Sequence, residues 1–152
     1  MYTAQEIVDY AAAEDVKFIR LAFCDVFGMP KNISIMPDEL PRAFSSGISI
    51  DASAIRGFGD EAHSDLLLHP DPETLNALPW RPSHGRVVRL FADIRQSDGT
   101  PFPLDTRNIL KRAIADAAKE GLVVNFGTEF EFYLFKLDAD GNPTKIPYDG
   151  AH

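Results

Sequence analysis

The spacing of apolar residues predicts two helices and five strands in the first hundred residues. A capping box, Thr3-x-x-Glu6, begins a helix whose apolar stripe is formed by Ile7, Tyr10 and Ala11. Alternating apolar and polar residues predict five strands, at 17–24, 31–36, 48–50, 66–68 and 86–94, and Pro37 opens a short helix after the second of them. This order predicts an α+β fold, a small mixed sheet crossed by a helix, as in a β-grasp.

The last fifty residues predict the opening of a second sheet. Asp105 or Thr106 caps a helix that runs to about Glu120, and Gly121 is placed to end it. Strands are predicted at 123–124 and 128–137, followed by a hairpin turn over 138–143. The turn-rich stretch 96–103 divides the chain into predicted domains 1–100 and 101–152. Because few strands would cover this second sheet, we expect the chain to be part of something longer.

Two carboxylates stand two residues apart in the aromatic segment Gly127-Thr128-Glu129-Phe130-Glu131-Phe132. In a strand they would share one face, about 6.6 Å apart along the backbone. Two such charges repel by about 2–3 kcal/mol at an effective dielectric near 20. A hard divalent cation such as Mg²⁺ or Mn²⁺ would relieve that repulsion. The alternative is an edge strand whose acidic face points into water.

A second candidate is Asp51, where strand 48–50 ends in the loop Asp51-Ala52-Ser53-Ala54-Ile55-Arg56-Gly57-Phe58-Gly59. A carboxylate there could hold a cation or accept a proton from an amine. The alternative is a turn aspartate that accepts hydrogen bonds from its own loop. The sequence leaves both open.

Composition narrows the classes of partner and location. The net charge is −8, and the 15 Lys and Arg residues form no basic run, so we expect no nucleic-acid partner. No stretch reaches the ~20 apolar residues of a membrane span, and no secretory signal stands at the N-terminus, so we expect no membrane partner. A lone cysteine, Cys24, fits a reducing cytoplasm.

We interpret His63, His69 and His84 as loop or surface residues and Trp80 as a core or interface aromatic. No nucleophilic triad or phosphate-binding loop is present.

Taken in order, several segments resemble the glutamine synthetase family, the ATP-dependent glutamate–ammonia ligases. The resemblance lies in residues 16–32, in the loop 51–58, in Ser64-Asp65 with Pro70-Asp71, in 101–112 and in 127–135. It covers nearly the whole chain, and it is the ordered set rather than any one motif that makes it specific. The resemblance implies a β-grasp-like N-terminal domain followed by the first helix and strands of an incomplete catalytic domain.

The resemblance also implies roles for individual residues. Glu129 and Glu131 would ligate different members of a pair of Mg²⁺ or Mn²⁺ ions, which orient ATP while glutamate becomes γ-glutamyl phosphate. Asp51 would bind ammonium and deprotonate it, with Ser53 and Phe58 beside it in the substrate pocket. Asp51 would reach into a neighbouring subunit's site, which implies a homo-oligomeric ring with shared active sites.

The chain departs from the family pattern where Ala52-Ser53-Ala54 replaces Gly-Ser-Ser, which leaves ammonium specificity open. One alternative is therefore a γ-glutamyl ligase for another amine. Another is a stand-alone, non-catalytic β-grasp module with an assembly or regulatory role. A metal-dependent hydrolase rests on the acidic pair alone. Because the resemblance places other metal ligands and the nucleotide pocket outside these residues, we expect the isolated chain to be inactive.

Overall fold

The helices and strands of the chain form two compact units, Met1–Leu122 and Val123–His152. The structure is a computed structural model, and it describes residues 2–59, 65–79 and 85–148. The first unit contains the helices α1 (Ala4–Ala13), α2 (Leu40–Ser46) and α3 (Thr106–Lys119) and the strands β1 (Val16–Cys24), β2 (Pro30–Ile35), β3 (Ile48–Asp51), β4 (Asp65–Pro70), β5 (Asn76–Ala77) and β6 (Arg86–Gln96). The second contains β7 (Phe135–Leu137) and β8 (Pro143–Pro147).

The first unit is built on a mixed sheet in the order β2-β1-β6-β4-β3, with β5 also paired to β6. Strands β1 and β6 are parallel, and the other pairs are antiparallel. The α+β class and the mixed sheet predicted from the sequence are therefore confirmed. Every predicted strand of this half is present, and β4 and β6 extend beyond their predicted ends by a few residues.

The core lies on one face of this sheet because alternate residues of each strand are apolar. In β1, Ile19 and Leu21 are fully buried, as is Leu90, the partner of Leu21 in β6. Helix α1 adds Ile7 to this core, and its predicted capping box is present, with Thr3 and Glu6 exchanging hydrogen bonds. The local cap and the buried stripe fix where α1 begins and which face it packs.

The predicted β1–β2 hairpin is present, and the Asp25 side chain stabilises its turn by hydrogen bonding. The carboxylate accepts the N–H groups of Phe27 and Met29, both at 2.9 Å, and lies 3.6 Å from the Lys31 ammonium. Burial acts to raise the pKa of Asp25, but these hydrogen bonds and Lys31 outweigh it and lower the pKa below its usual value. Asp25 is therefore the residue that stabilises the turn, and Lys31, which lies in β2 and is paired with Phe23, supplies the facing positive charge.

A buried carboxylate joins α3 to the end of β6. Asp105, 1% exposed, caps α3 by accepting the Arg107 N–H and also accepts the Ile94 N–H, both at 3.1 Å. Burial raises the pKa of Asp105 despite these hydrogen bonds. Of the two predicted caps, Asp105 is the one used, so α3 begins at Thr106.

One histidine prediction is wrong. His69 lies in the interior of β4 and is partly buried, rather than in a loop or on the open surface. A Cβ at Gly47, which has a φ of 78°, would lie only 2.8 Å from its Nε2 atom, so the bare glycine after α2 makes room for the imidazole. Burial lowers the pKa of His69, with Arg95 adding to the shift. His63, His84 and Trp80 lie outside the described residues.

The second unit is a hairpin around the predicted turn. Asp138 accepts the N–H groups of Asp140 and Asn142, and β7 and β8 pair on either side. The strands predicted at 123–124 and 128–134 are wrong, because only residues 135–137 of that stretch form a strand. The physical reason is that nothing in the described chain pairs with residues 123–133, and a strand needs a ladder partner. The predicted domain boundary at residue 100 stays a prediction.

We expect Asp105→Ala to lower the free energy of unfolding by about 1–3 kcal/mol, because the buried Ile94 N–H and the partly buried Arg107 N–H lose their acceptor. Asp98→Ala is the control, since exposed Asp98 similarly accepts the Thr100 N–H at 2.9 Å. We expect the control to cost less than about 1 kcal/mol. Urea unfolding of the three chains at neutral pH measures both values.

The pH dependence gives a second check on Asp105. Because its folded pKa is raised, its stabilising contribution is fullest at low pH and declines as pH rises through the raised pKa. The stability difference between the wild-type chain and Asp105→Ala should therefore shrink with rising pH. Equal stability of Asp105→Ala and Asp98→Ala at every pH would contradict this account.

Candidate functional site

The Asp51 carboxylate stands at the surface where β3 ends. It caps a short 3₁₀ helix, Ala52–Ala54, by accepting the Ser53 N–H at 2.9 Å and the Ser53 hydroxyl at 2.6 Å. Its neighbours Ile50 and Ala52 are buried at 8% and 0% exposure, so the backbone is fixed while the carboxylate faces solvent. The loop hydrogen bonding that the sequence left as one alternative is present, and it holds the carboxylate in place.

These hydrogen bonds set the charge of Asp51. The Ser53 hydroxyl, followed by the Ser53 N–H, lowers the pKa of Asp51 below the ordinary aspartate value. The group is therefore ionised at neutral pH. A fixed, exposed carboxylate of this kind is suited to attract an ammonium ion, more than to hold a proton.

A second carboxylate, which sequence reasoning did not single out as a site residue, lies opposite Asp51. Asp65 is the first residue of β4 and is its direct partner in the antiparallel β3–β4 ladder. Like charges directly opposite in a sheet repel, so a cation would be favoured between them. The sequence carried a signal for this pairing, since Asp51 directly follows one predicted strand and Asp65 directly precedes the next, but their register was not predictable.

The Phe58 side chain packs the loop that follows Asp51 against the core. Its ring is 4% exposed and lies 6.1 Å from the ring of Phe23 and 5.2 Å, edge-on, from the ring of Phe102. Within the same loop, the Arg56 guanidinium lies 4.7 Å above the Phe27 ring. The structure therefore gives Phe58 a packing role, and its predicted place in a substrate-pocket wall stays a prediction.

Glu129 and Glu131 lie in the second unit, in a segment that is neither helix nor strand, and both are exposed. Their predicted common face depended on a strand that is absent there, so the structure does not establish it. Carboxylates are suitable donors for Mg²⁺ or Mn²⁺. However, no group of three or more His, Cys, Asp or Glu side chains in the described ranges is arranged to hold a metal ion. The pair alone fits part of a metal site.

No helix among the described residues has the length and apolar character needed to cross a membrane.

The sequence matches two family models in succession. Residues 15–97 match the glutamine synthetase beta-Grasp domain, and residues 103–151 match the glutamine synthetase catalytic domain. The two matches cover almost all of the chain.

Individual relatives agree with these models. The chain is 45% identical to a glutamine synthetase of Methanosarcina mazei over 93% of its own length and 32% of the relative's. It is 42% identical to a glutamine synthetase of Clostridium saccharobutylicum, over 99% of its own length and 34% of the relative's. The chain thus spans about a third of the length of these curated relatives.

Solved structures show the same fold. A glutamine synthetase of Plasmodium falciparum aligns over 80% of this chain and 23% of its own, with a TM-score of 0.71 at 22% identity. A GmaS/ADP complex aligns over 74% of this chain and 25% of its own, with a TM-score of 0.66 at 30% identity.

We expect Ser53→Ala to raise the pKa of Asp51 toward its ordinary value, because the hydroxyl is the largest cause of the lowering. Ser49→Ala, at an exposed position two residues before Asp51, is the matched control and should leave the pKa unchanged. Titration of the Asp51 carboxyl carbon by NMR measures this pKa directly. Since a lowered folded pKa stabilises the fold above the unfolded pKa, the acid-induced loss of this contribution should also be smaller in Ser53→Ala. An unchanged pKa in Ser53→Ala would contradict the assignment.

Proposed function

Since the chain belongs to the glutamine synthetase family, we propose that it is part of a glutamate–ammonia ligase and supplies the ammonium-binding carboxylate and two metal ligands of that enzyme. The reaction joins glutamate and ammonia to form glutamine while ATP becomes ADP and phosphate. The observation that carries the proposal is the exposed Asp51 carboxylate, ionised and held by Ser53 at the end of β3.

Asp51 would first act as an electrostatic anchor for ammonium. Its lowered pKa keeps the carboxylate charged at neutral pH, and Asp65 opposite it adds a second negative charge. Ammonium must lose a proton before its nitrogen can attack an acyl phosphate. The exposed Asp51 carboxylate, in contact with the bound ammonium, would accept that proton or pass it to water. Ser53 positions the carboxylate for both tasks.

Glu129 and Glu131 would each supply a carboxylate oxygen to a divalent cation, Mg²⁺ or Mn²⁺. When bound, such a pair of ions orients the ATP phosphates and balances charge that develops during phosphoryl transfer. The oxygen donor type fits these hard cations, whereas two side chains are too few for two ions. The remaining ligands would therefore come from other residues of the full-length protein.

Exposed apolar side chains support a larger assembly. Leu110 and Ile114, part of the apolar stripe of α3, are 54% and 57% exposed, and Phe126 and Phe130 are 85% and 84% exposed. Apolar surface on this scale usually packs against protein. That protein would be the rest of the full-length subunit, a neighbouring subunit or both. Because the chain belongs to the glutamine synthetase family, the proposal includes a homo-oligomeric ring in which Asp51 serves a neighbouring subunit's site. The proposal also includes a cytoplasmic location, which the lone cysteine supports.

Mixed assemblies test the proposal and its shared site together. In the full-length protein, Asp51→Asn and Glu129→Gln should each reduce glutamine formation by about 10²-fold or more, because an essential carboxylate is lost. Assembled together in equal amounts, the two inactive variants should regain about a quarter of wild-type activity, since a quarter of the shared sites are intact in a random ring.

The controls separate the alternatives. Asp38→Asn, which changes another exposed carboxylate of the first unit, should retain activity. If mixing restores nothing although each variant assembles, Asp51 serves its own subunit and the shared site is wrong. Full activity in Asp51→Asn would contradict the ammonium role. If the native protein forms no glutamine from ATP, glutamate and ammonium, the ligase proposal fails and the non-catalytic module becomes the better account.

The isolated 152-residue chain gives a complementary test. We expect it to release no phosphate from ATP in the presence of glutamate, ammonium and Mg²⁺ or Mn²⁺, because two carboxylates cannot hold both metal ions. A malachite-green phosphate assay measures the release, with the full-length protein as the positive control. Phosphate release that requires both glutamate and ammonium would contradict this expectation.

The second candidate function is a γ-glutamyl ligase for a different amine. The sequence of the loop that follows Asp51 is the reason to consider it. Ala54 is exposed beside Asp51, where the family pattern implies a serine hydroxyl, so the pocket has one polar group fewer. A less polar pocket would accept an alkyl group on the amine nitrogen. Comparing kcat/KM for ammonium and methylamine decides between them, and Ala54→Ser should shift the preference toward ammonium. A preference that is unchanged by Ala54→Ser would remove this reason for the second candidate.

A further inference from the structure

The β1–β2 hairpin ends beside the loop that follows β3. The hairpin tip, residues 25–29, is closed by two backbone hydrogen bonds of 3.0 Å: the Asp25 N–H donates to the Met29 carbonyl oxygen, and the Gly28 N–H donates to the Asp25 carbonyl oxygen. The bonds that the Asp25 carboxylate accepts add to these. The side chains of Phe27 and Met29 are nevertheless 57% exposed each. The tip is thus a hydrogen-bonded turn that carries apolar side chains outside the core.

Three consecutive residues of the loop 52–58 contact this hairpin. The first is Arg56, whose guanidinium lies 4.7 Å from the centre of the Phe27 ring. The third is Phe58, whose ring lies 6.1 Å from the Phe23 ring of β1. A cation over an aromatic face and a pair of aromatic rings are both attractive contacts, so the hairpin holds the loop at each end of this short segment.

Gly57, between them, is in direct contact with the tip. A Cβ at this position would lie 2.6 Å from the Val26 Cγ2 atom, so the bare glycine backbone packs against the valine side chain. Its φ of 89° also lies in the region that favours glycine. Both the backbone conformation and the close approach therefore require a glycine here.

Backbone hydrogen bonds connect these contacts to Asp51. The Phe58 N–H donates to the Ile55 carbonyl oxygen, and the Ile55 N–H donates to the Ala52 carbonyl oxygen, both at 3.0 Å. Ala52 is the first residue of the 3₁₀ helix that the Asp51 side chain caps. The loop is therefore a chain of successive turns, and a change in the hairpin contacts would alter the direction of the Asp51 carboxylate.

From these contacts we propose that Val26 and Phe27 are positioning residues for the ligase reaction. They act through the loop 52–58, rather than by touching the substrate, and fix the direction in which the Asp51 carboxylate meets ammonium. The inference rests on the proposed ammonium role of Asp51 and extends it to the hairpin tip. Because a small displacement of a group that positions a substrate weakens its action, loosening the tip should impair the use of ammonium.

Steady-state kinetics of the full-length protein tests the role of Phe27. Phe27→Leu removes the ring beneath Arg56 but keeps an apolar side chain. It should raise the KM for ammonium about two- to fivefold, the scale of a cation–π contact at an exposed site. The KM for ATP should stay unchanged, because a smaller amount of folded enzyme would lower the apparent kcat without changing either KM.

Two further variants control for the change of side chain. Phe27→Tyr keeps an aromatic ring beneath Arg56 and should keep the KM for ammonium near the wild-type value. Met29→Ala removes the equally exposed apolar side chain from the same tip and should leave that KM unchanged.

A pair of substitutions tests the contact of Val26 with the loop. Gly57→Ala places a Cβ against Val26 at an unfavourable φ and should raise the KM for ammonium about tenfold. Val26→Ala alone should raise it about twofold, since one contact is lost. Together, the two substitutions should cost less than Gly57→Ala alone, because Val26→Ala removes the Cγ2 atom that the new Cβ meets. If Gly57→Ala does not fold, Phe27→Leu decides alone.

Each outcome decides the proposal. A KM for ammonium that rises in Phe27→Leu but not in Phe27→Tyr or Met29→Ala supports it. An unchanged KM in a folded Phe27→Leu enzyme overturns it, as does an equal rise in the KM for ATP. An equal change in Met29→Ala also overturns it, since the exposed surface of the tip would then matter rather than its contact with Arg56. A double variant no better than Gly57→Ala overturns the assignment of Val26.

Asp51→Asn separates this inference from the proposed function. If that variant loses glutamine formation while the hairpin-tip variants keep the wild-type KM for ammonium, only the positioning role is overturned. Full activity in Asp51→Asn overturns the ammonium role and, with it, the positioning role.

Discussion

The pairing of β6 is the constraint on which the first unit depends. This eleven-residue strand binds β1 in parallel along one edge and binds β5 and β4 along the other. Its alternate residues Val88, Leu90, Ala92 and Ile94 are all buried, so the same strand that carries the hydrogen bonds also supplies the centre of the core. At its end, the Ile94 N–H donates to Asp105 and so joins α3 to the sheet.

The position of Asp51 follows from this order of strands. Strand β3 pairs with β4 and lies at the edge of the sheet, and β4 in turn is held by β6. An edge position leaves the end of β3 open to solvent, while Phe58 fixes the following loop to the core. The carboxylate can therefore be both rigid and accessible, as a site that binds and deprotonates a small cation requires.

Local patterns predicted most elements of the first unit, because each carries its own signal: the Thr3–Glu6 capping box, the alternation in β1, and Pro37 before α2. Contacts between distant segments were not predictable in this way. The sequence could not give the register that sets Asp51 opposite Asp65 and Arg20 opposite Arg89. The aromatic run around Glu129 was wrongly assigned to a strand, because β propensity forms no strand without a partner. The roles of Asp51, Ser53, Phe58 and the two glutamates stay proposals.

The subunit mass of the native protein tests the central claim most directly. An antibody raised against this segment would detect the protein in extracts of its own cells, under denaturing and native conditions. Because the chain spans 32–34% of its glutamine synthetase relatives, the account predicts a subunit about three times the 16.8 kDa of this chain, assembled into a much larger native particle. A native subunit of 16.8 kDa would contradict it, since the rest of the metal site would have no source within the protein.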